Sequence, residues 1–178
     1  MSNIRPFSTS DKVALVTLFE EMQRHYGVAC PPTGVIESNL AALPAGVEII
    51  VAEADRIIGF AAFSAIYPGP GLKSGLFMKE LFVTAGSRGT GVGKALIQAV
   101  ARVTVERGHS RVDWTADRND AGLLSFYSGL GALAQEEKVF YRLTGDALTA
   151  LAASRVLTFQ RASRPADIAR KSSGWGNT

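Results

Sequence analysis

A mixed α/β domain built on a single sheet is the fold class this chain predicts, and three observations predict it. Three β-rich, antiparallel-looking runs fall between residues 47 and 83, apolar-periodic helical segments flank them, and a helix, strand, helix, strand order follows. No internal repeat competes with that order. The 178 residues suit one domain, or one domain with an appendage. Hydrophobic residues at 47% and charged residues at 20% fit a soluble globule and exclude a disordered or fibrous chain.

Residues 3–7 are the first strand candidate. Ser8, Thr9 and Ser10 then offer N-caps ahead of Asp11. Leu15, Leu18, Phe19 and Met22 recur at three- and four-residue steps, as an amphipathic helix requires, and Gly27 stops it after Tyr26. Cys30-Pro31-Pro32 breaks the chain, and residues 35–43 read as a second short helix closed by Pro44. Residues 47–53 and 57–67 are strands separated by the hairpin-length gap Ala54-Asp55-Arg56. Pro68-Gly69-Pro70-Gly71 is a loop that cannot pair, and residues 75–83 form the third strand of the group.

Residues 84–91 make a turn-rich connection into a long helix whose Val92, Leu96, Val100 and Val103 share a face and which Gly108 ends. Val112 and Trp114 alternate with Asp113 and Thr115, which predicts a strand over 111–116. A helix over 119–130 is stopped by Gly129 and Gly131, a final strand is expected over 138–143, and a short helix from Asp146 to Ala153. The domain should therefore occupy residues 1–143, with 144–178 as a C-terminal helix and basic tail.

The formal charge is +3, from 19 basic and 16 acidic side chains. Residues 1–143 hold 14 of each sign, so the excess lies in Arg155, Arg161, Arg164, Arg170 and Lys171 against Asp146 and Asp167. Five cations spread over that tail, with only Phe159 and Trp175 among them, are a weak nucleic-acid footprint, and no nucleic-acid partner is expected. One cysteine, Cys30, cannot close a disulfide within the chain, and with two histidines no Cys/His metal cluster is expected. Arg5 and Pro6 stand where a signal peptide needs an apolar run, and apolar stretches fall far short of the roughly 20 residues of a membrane span. The expected setting is cytoplasmic, away from membranes.

The informative segment is Arg88-Gly89-Thr90-Gly91-Val92-Gly93, between a strand and a helix. Such a turn presents free backbone N–H groups at a positive dipole end, and glycine lets an anion come close to the backbone. A P-loop would need glycine at Arg88 and a hydroxyl residue at Ala95; a G-x-G-x-x-G dinucleotide fingerprint would need glycine at Lys94 or Leu96. Both fail. What remains is R-x-x-G-x-G, filled by Arg88, Gly91 and Gly93, although the glycines alone would also permit a merely tight turn.

With that turn, the strand Leu81-Phe82-Val83, Asn119 after a strand, and Phe126-Tyr127 before Gly129-Leu130-Gly131-Ala132, the chain resembles the GNAT superfamily of N-acetyltransferases over roughly residues 3–143. Within it, the run from Met78 to Val83 and residues 119–132 look most like the spermidine/spermine (diamine) acetyltransferase-like branch. Those enzymes carry two adjacent acidic residues where this chain has Lys79 and Glu80. A cation there repels a polyamine, so that acceptor is disfavoured.

The resemblance implies the GNAT acyl-CoA N-acyltransferase fold, a single mixed and mostly antiparallel sheet flanked by helices and splayed at the cofactor cleft. It implies acetyl-CoA as co-substrate and no metal. The pantetheine arm would run along Leu81, Phe82 and Val83, with a backbone N–H near Phe82 polarising the acetyl oxygen. The pyrophosphate would sit on Arg88, Gly89, Thr90, Gly91, Val92, Gly93 and Lys94, and Phe126 would line the cofactor. Asn119 would bond the pantetheine end, cap a helix, or do both.

An alkyl amine with a pKa of about 10 is almost wholly protonated at neutral pH, so a base is useful. Glu80 is the candidate, directly or through a water. Lys79 and Glu80 break the alternation of their strand, which implies a bulge that re-aims one of them, though the pair also fits a solvated strand. Tyr127 matches the family tyrosine that protonates the departing thiolate, against the alternative of an aromatic that only packs its helix. His25, His109 and Cys30 read as ordinary surface or cap residues and Trp114 as core; His25-Tyr26 could line the acceptor side.

The expected function is transfer of an acetyl group to a primary amine of a small molecule by direct attack in a ternary complex. The alternatives are an acyl-CoA-binding module without turnover, and an acetyltransferase acting on a protein or peptide amine. A homodimer is expected from the resemblance alone.

Overall fold

The computed structural model describes residues 2–154. They divide into two compact units, one ending at Ala134 and one beginning at Gln135. In the first unit the order is β1 (Asn3–Pro6), α1 (Lys12–His25), α2 (Thr33–Ala41), β2 (Val47–Glu53), β3 (Ile57–Ile66), β4 (Gly75–Val83), α3 (Val92–Glu106), β5 (Val112–Asp113) and α4 (Ala121–Ser128). The five strands form one sheet in chain order, β1 to β5. Neighbours run antiparallel except β4 and β5, which are parallel and pair only at Leu76 with Val112 and Phe77 with Asp113. Beyond Phe77, β4 has no ladder partner on its β5 side, and the sheet opens there.

The two-residue period of the strands sorts the core into two layers. Ile49, Val51 and Phe60 join Leu15, Leu18 and Met22 of α1 and Ile36 and Leu40 of α2 on one face. Ile50, Ala52, Ala61 and Phe63 meet Val92, Leu96 and Val100 of α3 on the other. The start of α1 is tied to the sheet by charge. The Arg5 guanidinium donates to both Asp11 oxygens at 2.6 and 2.8 Å and to Glu53 at 2.7 Å, and the Ser8 N–H donates to Asp11 at 2.8 Å. Bonding to Arg5 holds the Asp11 carboxyl well below the usual carboxylate range.

The structure corrects several of the expected elements, α2 among them, which spans Thr33–Ala41 rather than 35–43. The strand expected over 111–116 shrinks to Val112–Asp113, because a strand lasts only as long as its ladder and the ladder to β4 ends after two pairs. The fourth helix is Ala121–Ser128 rather than 119–130. In the second unit, residues 138–143 form no strand: Val139, Phe140 and Tyr141 are 70, 62 and 87% exposed, and their β preference reports fit to a half-buried pleated surface that no ladder supplies. That unit contributes one helix among its described residues, α5 (Gly145–Ala153). The cations of the tail from Arg155 onward lie outside the described residues. No helix of the described residues is long and apolar enough to cross a membrane.

Candidate active site

The site is made by a fault in β4. Ala62 pairs with Glu80 and the next residue, Phe63, pairs with Met78, so Lys79 is the extra residue of a bulge. A bulge inverts the alternation that follows it. Leu76 and Met78 point into the α3 layer before it; after it Leu81 and Val83 do so, while Phe82 joins the α1 layer. Glu80 shares the parity of Phe82 and faces the α1 side. Without the extra residue it would point into the apolar α3 core, where an unpaired carboxylate is costly.

On that side the Glu80 Oε1 lies 2.8 Å from the Lys79 ammonium, and its charge reaches the phenol of Tyr26, just past the end of α1. The Tyr26 phenol is pushed up, first by burial and then by the Glu80 charge. Tyr127 is half-buried in α4, and its phenol is also pushed up, first by burial and then by the fields of Tyr26, Asp120 and Glu80. Tyr26, Glu80 and Tyr127, far apart in sequence, thus share one electrostatic environment.

Next to this cluster comes the glycine-rich turn. Gly89 and Gly91 have φ of +75° and +89°, left-handed values that exact a steric cost from any side chain, and Gly91 is the residue before the first turn of α3. The first N–H groups of α3 have no intrahelical acceptor, and Arg88, Gly89, Thr90, Gly91 and Lys94 are solvent-exposed. Arg88 is held against the strand: its Nε donates to the Val83 carbonyl at 3.0 Å and its guanidinium lies 5.5 Å from the Phe82 ring centroid. The Thr90 hydroxyl closes the turn on the Ser87 carbonyl at 2.7 Å. Val92 and Phe82 bury their side chains, so only their backbones remain for a ligand.

Opposite β4, α4 presents an aromatic wall. The Tyr127 ring centroid lies 5.1 Å from that of Trp114, and a Cβ on Gly93 would stand 3.5 Å from the Phe126 ring, which places α4 against the first turn of α3. Asp120 caps α4, its Oδ1 accepting the Leu123 N–H at 2.9 Å. Asn119 is not the cap; its own N–H donates to Asp117 Oδ1 at 2.8 Å. Loss of an N-cap costs roughly 1 kcal/mol, so Asp120→Ala should lower the unfolding free energy by about that amount and Asp120→Asn by much less, as urea titration will show.

The structure therefore brings together Glu80, Tyr127, Phe126 and the Arg88 to Lys94 turn. It adds three residues that the sequence pattern left out or undervalued. Tyr26 lies within the field of Glu80, Trp114 packs against the core of the α3 layer and is also a half-buried platform for Tyr127, and Glu21 is bonded to the root of the turn. Cys30 is exposed in the connection after α1, beside a cavity of about 440 Å³ that Glu20, Arg24, Val28 and Thr33 also line. Glu80, Tyr127 and Arg88 do not border it. Among the described residues no group of three or more His, Cys, Asp or Glu could hold a metal.

Comparison with known proteins yields one family. The acetyltransferase (GNAT) family model matches residues 15–132. An L-ornithine N5-acetyltransferase of Arabidopsis thaliana is 36% identical over 95 residues, which are 53% of this chain and 42% of that protein, so the match spans less than half of that relative's length. An integron cassette protein from the mobile metagenome of V. cholerae is similar in structure, with a TM-score of 0.78 and 31% identity over 86% of this chain and 98% of its own. An aminoglycoside acetyltransferase from an uncultured soil metagenomic sample shares the fold, with a TM-score of 0.66 and 23% identity over 82% of this chain and 97% of its own.

Proposed function

The chain belongs to the acetyltransferase (GNAT) family, and on that premise we propose that it is an acetyl-CoA-dependent N-acetyltransferase acting on a primary amine of a small molecule. The observation that carries the reading is the bulge at Lys79, which turns Glu80 toward Tyr26 and Tyr127 beside an exposed anion-binding turn. In this reading the pyrophosphate lies on the N–H groups of residues 88–94 with Arg88 and Lys94 adding charge. The pantetheine follows the side of β4 that β5 leaves unpaired.

The acceptor nitrogen attacks the thioester carbon and loses its proton to Glu80, directly or through a water. The tetrahedral intermediate then collapses, the C–S bond breaks, and the Tyr127 hydroxyl gives its proton to the departing CoA thiolate. Tyr127 suits a donor because burial keeps its phenol protonated. The exposed Lys79 ammonium beside Glu80 argues against di- and polycationic acceptors. A relative named for acetylating L-ornithine supports a small-molecule amine. The homodimer implied by family resemblance belongs to the same proposal.

Thiol release from acetyl-CoA against a panel of amines, including L-ornithine and spermidine, tests the reading. At least one small amine should speed release tenfold or more, with spermidine among the poorer acceptors. If CoA binds tightly and no amine speeds release, the chain is an acyl-CoA-binding module instead.

A further inference from the structure

We propose that Glu21 is a positioning residue for acetyl-CoA, a brace from α1 that sets the direction of the Arg88 to Lys94 turn. The inference rests on reading that turn as the pyrophosphate site. Glu21 lies on α1 between the buried Leu18 and Met22, at the flank of the helix stripe that faces the sheet. Its carboxylate accepts the Thr84 hydroxyl at 2.9 Å on Oε1 and 2.8 Å on Oε2, and the Ala85 N–H at 3.1 Å on Oε1.

Thr84 is where β4 stops and the turn begins, and it is buried at 7% exposure. Every polar group around this point is engaged. The Thr84 N–H donates to Ile58 of β3 at 2.9 Å, its carbonyl accepts the Ser87 N–H at 2.9 Å, and its hydroxyl and the following N–H go to Glu21. The single 3₁₀ turn Ala85–Ser87 follows, and its carbonyls receive the Arg88 N–H and the Thr90 hydroxyl. The direction in which residues 89–94 present their N–H groups is thus set at Thr84 and Ala85, and among the described residues Glu21 supplies the only hydrogen bonds that join that point to α1.

Charge alone disfavours this choice of residue. A carboxylate within the field of Arg88 takes up part of the positive potential the turn would offer a pyrophosphate. The residue is therefore explained by geometry: a carboxylate accepts both the hydroxyl and the amide with charge-assisted strength, and its removal leaves a buried hydroxyl unpaired. Because α1 runs on from Glu21 into Tyr26, the same brace also keeps Tyr26, whose phenol feels the Glu80 charge, at a fixed offset from the cofactor turn.

Geometry and charge separate in two variants of the full chain. Glu21→Ala removes both acceptors and should weaken CoA binding, measured by calorimetric titration, about tenfold, and raise KM for acetyl-CoA similarly with kcat within about twofold. Glu21→Gln keeps an acceptor for the Ala85 N–H and a polar partner for Thr84 while losing the charge, so it should bind CoA as well as the parent or better. Thr84→Val, nearly isosteric, should show a smaller loss of CoA affinity, about threefold, and Thr84→Ser should restore it; this pair serves if Glu21→Ala does not fold. Parental CoA affinity in Glu21→Ala, or equal losses in the Ala and Gln variants, overturns the brace. Arg88→Ala is the control for the premise: if it binds CoA like the parent, the pyrophosphate reading fails and the brace falls with it, whereas weakened binding there with an unaffected Glu21→Ala removes the brace alone.

Discussion

Tyr127→Phe is expected to turn over about a hundredfold more slowly than the parent while binding CoA with nearly the same affinity. The substitution removes one hydroxyl and leaves the ring, which packs 5.1 Å from Trp114 and 5.3 Å from Phe126, so the wall of the cleft is kept. What is lost, on the proposed mechanism, is the donor to the leaving sulfur, and a positioned general acid contributes roughly 10²- to 10⁴-fold to such a step. Burial, and after it the fields of Tyr26, Asp120 and Glu80, push the phenol above its ordinary pKa of about 10, so the donor is protonated near neutral pH. The sign of the pH dependence follows: no loss of activity from Tyr127 ionisation should appear below about pH 10. Single-turnover thiol release, with CoA affinity measured separately, checks the prediction. An unchanged chemical step in the Phe variant would remove Tyr127 from the mechanism.

The parts of this site that are written locally could be read locally. Strands 47–53 and 75–83 and the start of α3 at Gly91 follow from residue pattern, and the left-handed Gly89 and Gly91 make the anion turn almost context-free. The bulge too is legible, because two adjacent polar residues in an apolar strand leave one with no face to occupy. Contacts across the chain are not legible in that way. Glu21 looks like any solvated helix glutamate until α1 is laid against the end of β4, and its partner Thr84 is 63 residues away. Tyr26 sits in what reads as the fraying end of a helix, yet its phenol falls within the field of Glu80 because α1 crosses the same sheet face to which the bulge has turned that carboxylate. The strand over 111–116 fails for the matching reason: its alternation is correct, but its length is decided by where its ladder to β4 ends.

Glu80→Gln should reduce kcat/KM for the acceptor amine about a hundredfold near neutral pH, with a deficit that narrows as pH rises. The amide is nearly isosteric and leaves the bulge in place, so cofactor affinity should hold while proton removal from the amine is lost. Below an amine pKa of about 10, each unit of pH raises the neutral fraction of the acceptor about tenfold. The variant must rely on that fraction, so its log kcat/KM should climb with a slope near one. The parent, which can bind the cationic amine and deprotonate it in place, should give a flatter profile. Loss of the carboxylate also removes one of the fields that raise the Tyr26 and Tyr127 phenols, but burial is the larger cause for both, so the thiolate donor stays protonated and the steepened slope reports the base alone. A Gln variant whose profile runs parallel to the parent's at all pH values would mean that the proton leaves by another route, and that the bulge orients Glu80 to bind the acceptor rather than to deprotonate it.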